Sequence, residues 1–336
     1  MLKVSYRSTM APLPDDPCSL LGTLCFAEKL PSDIADTVDL PAMPVMMPLL
    51  DGQQTLYEIL RTDTALKSAM TGDIRYRCND ALLFGVITLD ESDFIKMADA
   101  AKAAPLQMAS RSAYEQVFAL LESHDFPFVL RFWNYMADIN GVSHELERYR
   151  QFNLGRQQAF AAKGKERAGN VPAACALGTT SGPLTIAFLA ARIPSQPIEN
   201  PRQISAYDYP AQYGPRSPLF SRASVAAIGD ASLLFLSGTA SIVGHTTLHA
   251  GDVTAQTEES LTNVEAVLDA TCRKTGRQCE LGSLDYIVYI RHPADLRKVK
   301  AVVERRIGTH VKATYLQADI CRADLLVEIE GSAELL

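Results

Sequence analysis

The sequence has no surplus of positive charge: 32 Lys and Arg stand against 39 Asp and Glu, a net charge of −7. Nucleic-acid partners require a basic face, so the charge balance speaks against that class. No apolar run approaches the roughly 20 residues that span a bilayer. The opening Met1-Leu-Lys-Val-Ser-Tyr-Arg lacks the apolar stretch of a signal peptide. The expectation is a cytoplasmic chain with no membrane partner.

Cys-x-x-Cys pairs are also missing. The seven cysteines, Cys18, Cys25, Cys78, Cys175, Cys272, Cys279 and Cys321, are odd in number and scattered, as expected of reduced core thiols. Gly-rich phosphate loops and a Gly-x-Ser-x-Gly elbow are absent, which removes support for nucleotide or serine-hydrolase chemistry. His245 and His249 stand four apart, but Gly244 argues against a helix there and no third ligand is near, so no metal site is expected.

What is present is an ordinary globular composition, 47% hydrophobic and 21% charged over 336 residues, enough for two domains and a sizeable core. Seven prolines before residue 50 predict an irregular N-terminal stretch without a long helix, with extended segments on an edge or surface. Beyond it, alternating and 3.6-period patterns predict strands over 80–89, 127–134, 173–177 and 184–190, with helices over 110–123 and 144–160. The order then repeats: strands over 231–240, 284–290, 312–316 and 325–330, helices over 254–274 and 294–306. Asp80-Ala matches Asp230-Ala, Trp133-Asn-Tyr-Met-Ala-Asp-Ile pairs with Ile290-Arg-His-Pro-Ala-Asp-Leu, and Val171-Pro-Ala pairs with Val311-Lys-Ala. An internal duplication accounts for this better than chance. In the second long helix Leu261, Val264, Val267, Leu268 and Cys272 form a single stripe, which needs a single sheet. The fold class is therefore α+β: two packed halves, 1–195 and 196–336, each a mixed sheet with helices on one face and a groove between them.

Two kinds of residue could do chemistry in that groove. The last strand places Leu325, Val327 and Ile329 on one face and Leu326, Glu328 and Glu330 on the other. A carboxyl among buried neighbours holds its proton near neutral pH and can act as a general acid. The alternative for Glu328 is an ion pair with Arg322 on a solvated edge. Arg and Tyr cluster in 147–156 and 205–222, the donor set that holds small carboxylates. Helix-surface pairing with Glu145 or Glu147 explains Arg148 or Arg150 as readily. The equivalent first-half strand, Thr185-Ile-Ala-Phe-Leu-Ala, carries no acid.

Two resemblances follow from longer motifs. Phe235-Leu-Ser-Gly, Asp252-Val-x-x-Gln-Thr-x-x-Ser-Leu-x-Asn-Val and Val327-Glu-Ile-Glu resemble the reactive-intermediate imine deaminases, although Ala313 falls where their pocket has an Arg. Six blocks in one order resemble the chorismatases: Arg131-Phe-Trp-Asn-Tyr, Glu147-Arg-Tyr-Arg-Gln-Phe-Asn-x-Gly-Arg, Ile198-Glu-Asn-Pro-Arg-Gln-x-Ser-Ala-Tyr, Tyr213-Gly-Pro-Arg-Ser-Pro-x-Phe-Ser-Arg-Ala, Ser237-Gly-Thr-Ala-Ser-Ile-Val-Gly-His and Asp319-Ile-Cys-Arg-x-Asp-Leu-Leu-Val-Glu-Ile-Glu. This second resemblance implies a deaminase (YjgF)-like fold and an enzyme that splits chorismate and releases pyruvate without metal or organic cofactor. It implies Glu328 as the acid, and Arg150, Arg156, Tyr213, Arg216 and Arg291 as substrate-holding residues. Ala240 and Cys321 would help decide the product, 3-hydroxybenzoate with or without 4-hydroxybenzoate. The alternatives are a hydrolase giving a dihydroxycyclohexadiene carboxylate, an imine or enamine deaminase, and a non-catalytic carboxylate-binding protein. Two fused halves could replace two subunits, so a monomer is expected.

Overall fold

The computed structural model describes residues 2–9, 19–29, 31, 40–164 and 171–335. Three sheets turn their inner faces towards one shared core. The first is built from β1 (Leu2–Arg7), β2 (Leu20–Ala27), β3 (Ala42–Met46) and β4 (Thr55–Thr62), in the order β1-β4-β2-β3. This corrects the expectation of an irregular N-terminal stretch. Pro44 is accommodated because β3 is an edge strand, where a missing N–H costs no ladder bond. Pro12, Pro14 and Pro17 lie outside the described residues.

The second sheet uses β5 (Lys67–Thr71), β6 (Ile74–Cys78), β7 (Leu82–Leu89) and β8 (Phe128–Ala137). A small hairpin, β9 (Val142–Ser143) with β10 (Leu146–Glu147), precedes β11 (Ala173–Thr179) and β12 (Leu184–Ala191), which complete the sheet in the order β11-β8-β12-β7-β6-β5. The third contains β13 (Gln196–Ile198), β14 (Ala223–Ile228), β15 (Ala231–Ala240), β18 (Asp285–Ile290), β19 (Lys312–Gln317) and β20 (Val327–Leu335), in the order β13-β14-β15-β20-β18-β19. A second small hairpin, β16 (Ile242–Val243) with β17 (Thr246–Thr247), follows β15. Read from opposite ends, the two six-stranded orders are the same, with one parallel pair in each, β8 with β11 and β18 with β19. The duplication is thus a property of the fold.

Strand alternation produces the layering. On β18, Ile287 and Tyr289 face the shared core, while Tyr286, Val288 and Ile290 face outward. Helices Pro105–Ser123 and Arg148–Ala162 cover the second sheet, and Val253–Thr275 and Leu296–Ile307 cover the third. Pro105 at the first helical position starts the 105–123 helix five residues earlier than the periodicity indicates. The expected helical start at 144 is instead the β9–β10 turn, because His144 and Glu145 adopt left-handed φ of 49° and 62°. The pairing of Trp133 with Ile290 is also corrected: Trp133 faces the shared core and Ile290 the helices, and an odd shift cannot align them. Among the described residues no helix is long and apolar enough to cross a membrane.

Candidate active site

A cleft of about 520 Å³ opens between the halves. Its first-half wall is the end of β10 and the start of the 148–162 helix, with Glu147, Tyr149 and Arg150. The second-half wall is β15, β20 and the 321–324 turn, with Gly238, Ala240, Cys321, Arg322 and Glu328. Tyr209, Tyr213, Phe220 and Arg222, on the segment joining the halves, line it as well.

The second-half helix holds its own wall in place, which explains the Asp252 motif. Asp252 caps the helix through the Ala255 N–H at 3.0 Å. Gln256 donates to Asp324 O at 2.9 Å and accepts from Leu326 N at 2.7 Å, so it pins the turn before β20. Asn263 donates to Ala240 O and Ile242 O at 3.0 and 2.9 Å, which pins the end of β15.

Glu328 lies between Ala240 on β15 and Tyr289 on β18 and is 4% exposed. Among the described residues it makes no ion pair, and Cys321 Sγ donates to its Oε2 at 4.0 Å. Burial, and then the charge of Glu330, push its carboxyl up to about 8. Glu330, two residues on, receives Arg131 Nη2 at 2.7 Å and Tyr289 Oη at 2.5 Å. One carboxylate is fully partnered and its neighbour is not, so the proton belongs on Glu328. Burial, reinforced by Glu328, also raises the Cys321 thiol to about 12, which keeps it neutral. A Cβ at Gly238 would land on Glu328 Oε1, so the glycine leaves the carboxyl its room where the β15–β20 register shifts.

Three arginines, Arg150, Arg222 and Arg322, line the same cleft. Arg222 Nη2 donates to Ile204 O and Tyr209 Oη at 2.8 and 2.9 Å, while its buried Nε has no partner among the described residues. Arg322 stacks 3.9 Å from the Tyr213 ring centroid and donates to His245 O at 2.9 Å. It does not pair with Glu328, so the solvated-edge alternative fails. Arg150 Nε bonds Glu147 Oε2 at 3.1 Å. Tyr213 Oη meets His245 Nδ1 at 3.2 Å, and His249 faces Glu259 at 3.9 Å. Among the described residues no three His, Cys, Asp or Glu are placed to hold a metal ion.

Five expected site residues therefore meet in one cleft: Glu328, Cys321, Ala240, Arg150 and Tyr213. Three do not line it. Arg216 is exposed on the joining segment. Arg156 is buried two helical turns beyond Tyr149, bonded to Asn153 Oδ1 at 2.8 Å and packed over Phe152. Arg291 is corrected outright, because all five of its side-chain N–H donors are taken by protein acceptors, leaving none for a substrate carboxylate.

Residues 58–190 match the family described as Chorismatase FkbO/Hyg5-like, N-terminal. A protein from Streptomyces hygroscopicus named chorismatase is 39% identical over 280 residues, covering 82% of this chain and 78% of that one. The chain belongs to the chorismatase family. Another Streptomyces hygroscopicus protein, named 3-hydroxybenzoate synthase, is 40% identical over 233 residues, covering 66% of this chain and 68% of that one. A crystal structure titled as chorismatase superposes with a TM-score of 0.86 at 32% identity, covering 99% of this chain and 98% of that one. Within this chorismatase-family cleft, sequence reasoning missed Arg222, Tyr209 and Arg322 as lining residues. Arg222 and Tyr209 stood inside the second Arg/Tyr cluster, and the signal was the cluster itself. Arg322 was weighed only as a partner for Glu328.

Proposed function

We propose that this protein converts chorismate to a hydroxybenzoate, chiefly 3-hydroxybenzoate, and pyruvate, with Glu328 as the proton donor. The observation that carries the reading is a buried carboxyl that pairs with no cation among the described residues, facing a cleft that Arg150, Arg222 and Arg322 line. Chorismate has two carboxylates for guanidinium forks to hold and an enol ether whose terminal methylene must be protonated. The Glu328 proton passes to that methylene, which becomes the pyruvate methyl, and the neighbouring carbon becomes an oxocarbenium ion. The charge left on Glu328 stabilises that cation across the cleft. In one route the neighbouring ring hydroxyl attacks the ring carbon that bears the ether, the ring C–O bond breaks with pyruvate as the leaving group, and loss of a ring proton gives the aromatic acid. In the other, water adds to the oxocarbenium carbon and the hemiketal collapses to pyruvate and the diene diol.

Arg150, Arg222 and Arg322 hold the carboxylates, and Tyr213 adds a directional contact. Arg156, a buried guanidinium with no carboxylate partner among the described residues, adds attraction for an anion from behind Tyr149. Ala240 and Cys321, beside Glu328, shape the space that water could occupy. Both cleft walls come from one chain, so a single copy suffices.

The test is purified protein with chorismate, with pyruvate followed by a coupled assay and the ring product by chromatography and mass spectrometry. Pyruvate with hydroxybenzoate, lost in Glu328→Gln, is expected. Pyruvate with a diene diol moves the reaction to the hydrolytic branch, and no pyruvate overturns the reading.

A further inference from the structure

Arg291 directly follows β18, and its guanidinium ties together segments from both halves. Nε donates to Leu325 O at 2.8 Å, Nη1 to Asp319 Oδ1 at 2.6 Å and Asn140 Oδ1 at 3.1 Å, and Nη2 to Ile320 O at 3.1 Å and Arg322 O at 2.9 Å. Four of the five acceptors belong to 319–325, the turn that carries Cys321 and Arg322 into the cleft. The fifth belongs to the first half, and the chain of bonds continues there. Asn140 Nδ2 donates to Glu147 Oε1 at 3.3 Å, and Glu147 Oε2 accepts from Arg150 Nε at 3.1 Å. A second tie lies alongside: Gly178 N donates to Asp319 O at 2.8 Å, and a Cβ at Gly178 would come within 2.7 Å of the Asp319 Cβ.

We propose that Arg291 is a positioning residue that sets the separation of the two cleft walls, holding Cys321 and Arg322 beside Glu328 and aiming Arg150 through Asn140 and Glu147. It touches no substrate, and the inference rests on the cleft being the chorismate site. Only a planar fork of five donors serves five acceptors around one side chain; a lysine ammonium has three donors and no fixed plane. The 319–326 turn contains no helix and its one strand-like contact is the Gly178 bridge. Gln256 holds its far end at Asp324 and Leu326, and Arg322 is held at His245, so beyond that bridge Arg291 is the group that ties its 319–322 backbone to the first half.

The experiment compares full-length wild type with Arg291→Lys, Arg291→Ala and Asn140→Ala in steady-state pyruvate release and ring-product ratio. Loss of a charge-assisted positioning bond is expected to raise KM about tenfold in Arg291→Lys and in Asn140→Ala, with kcat changed less. The product ratio is expected to shift in the Arg291 variants, whose turn carries Cys321. Added guanidinium is expected to restore part of the KM of Arg291→Ala and to leave wild type unaffected, a response that general destabilisation would not give. Asn140→Ala is also expected to add nothing to Arg150→Ala, because both break the same chain of bonds. Asn140 is half-buried, so this variant decides the matter if the Arg291 variants fail to fold. An unchanged KM in Asn140→Ala with an active wild type overturns the positioning role alone. No pyruvate from wild type overturns the functional reading and the positioning role with it.

Discussion

Strands β12 and β20 occupy the same place in their sheets, one between β7 and β8, the other between β15 and β18. On β12, Thr185 stands opposite Tyr135, followed on the same face by Ala187 and Leu189 in the shared core. On β20, Glu328 stands opposite Tyr289, followed by Glu330 and Ser332. The first strand presents a hydroxyl and apolar packing residues to the core, and the second presents two buried carboxyls. The difference is supported across the halves, since the cation that partners Glu330 is Arg131 of the first half, which also donates to Leu236 O at 2.9 Å. Burying a carboxylate is tolerable when a guanidinium accompanies it. The duplicated sheet therefore does more than fill space: it supplies the countercharge that leaves Glu328 as the uncompensated, protonated member of the pair.

Removing the acid makes the halves alike in this respect. Glu328→Gln should lower pyruvate release about 10²–10⁴-fold while chorismate binding persists, which calorimetry can follow. The same variant reports on stability. Folding holds the Glu328 proton up to about 8, against 4.5 for an unperturbed carboxyl, so stability is lost as pH rises through that window. Glu328→Gln should therefore melt above wild type at pH 9, with the gap closing by pH 4. Glu58, raised to about 7, tilts both proteins equally and cancels in the comparison.

Gly238→Ala tests the space rather than the charge. Pushing the carboxyl aside should cost about a hundredfold in kcat with the fold intact by circular dichroism. Thr185→Glu places an acid at the first-half counterpart. With no cation provided for it, denaturant unfolding should show a loss of about 3 kcal/mol, and activity should not rise. The smallest effect belongs to Cys321→Ala, expected to change the ring-product ratio about fivefold at similar total pyruvate, read by chromatography.

Much of this contrast was legible in the sequence. Period-two alternation placed Glu328 and Glu330 on one face, and the 3.6-period stripe of the 253–275 helix required the sheet beneath it. What local pattern could not show was how donors are spent. Arg291 stood among the carboxylate holders only through the family resemblance, and its five acceptors, four of them on a turn some 30 residues on, converge only after folding. Arg222 and Tyr209 were hidden for the converse reason: nothing local marks which member of an Arg/Tyr cluster faces a cleft. The prolines indicate extended edge segments, and Pro44 does sit on an edge strand that dispenses with its N–H, but nothing local shows that such segments pair into a four-stranded sheet. The trans-half partnership of Arg131 with Glu330 spans 199 residues and leaves no local trace.

The central claim is that Glu328 carries a proton near neutral pH and gives it to the substrate. The most direct measurement is kcat/KM for pyruvate release from chorismate between pH 5 and pH 10, which reports the free enzyme's acid. The account predicts a fall of tenfold per pH unit above a midpoint of about 8, the value to which burial and Glu330 raise this carboxyl. A rate that stays level to pH 10, or that falls from pH 5 upward with the midpoint of an ordinary carboxyl, would contradict it.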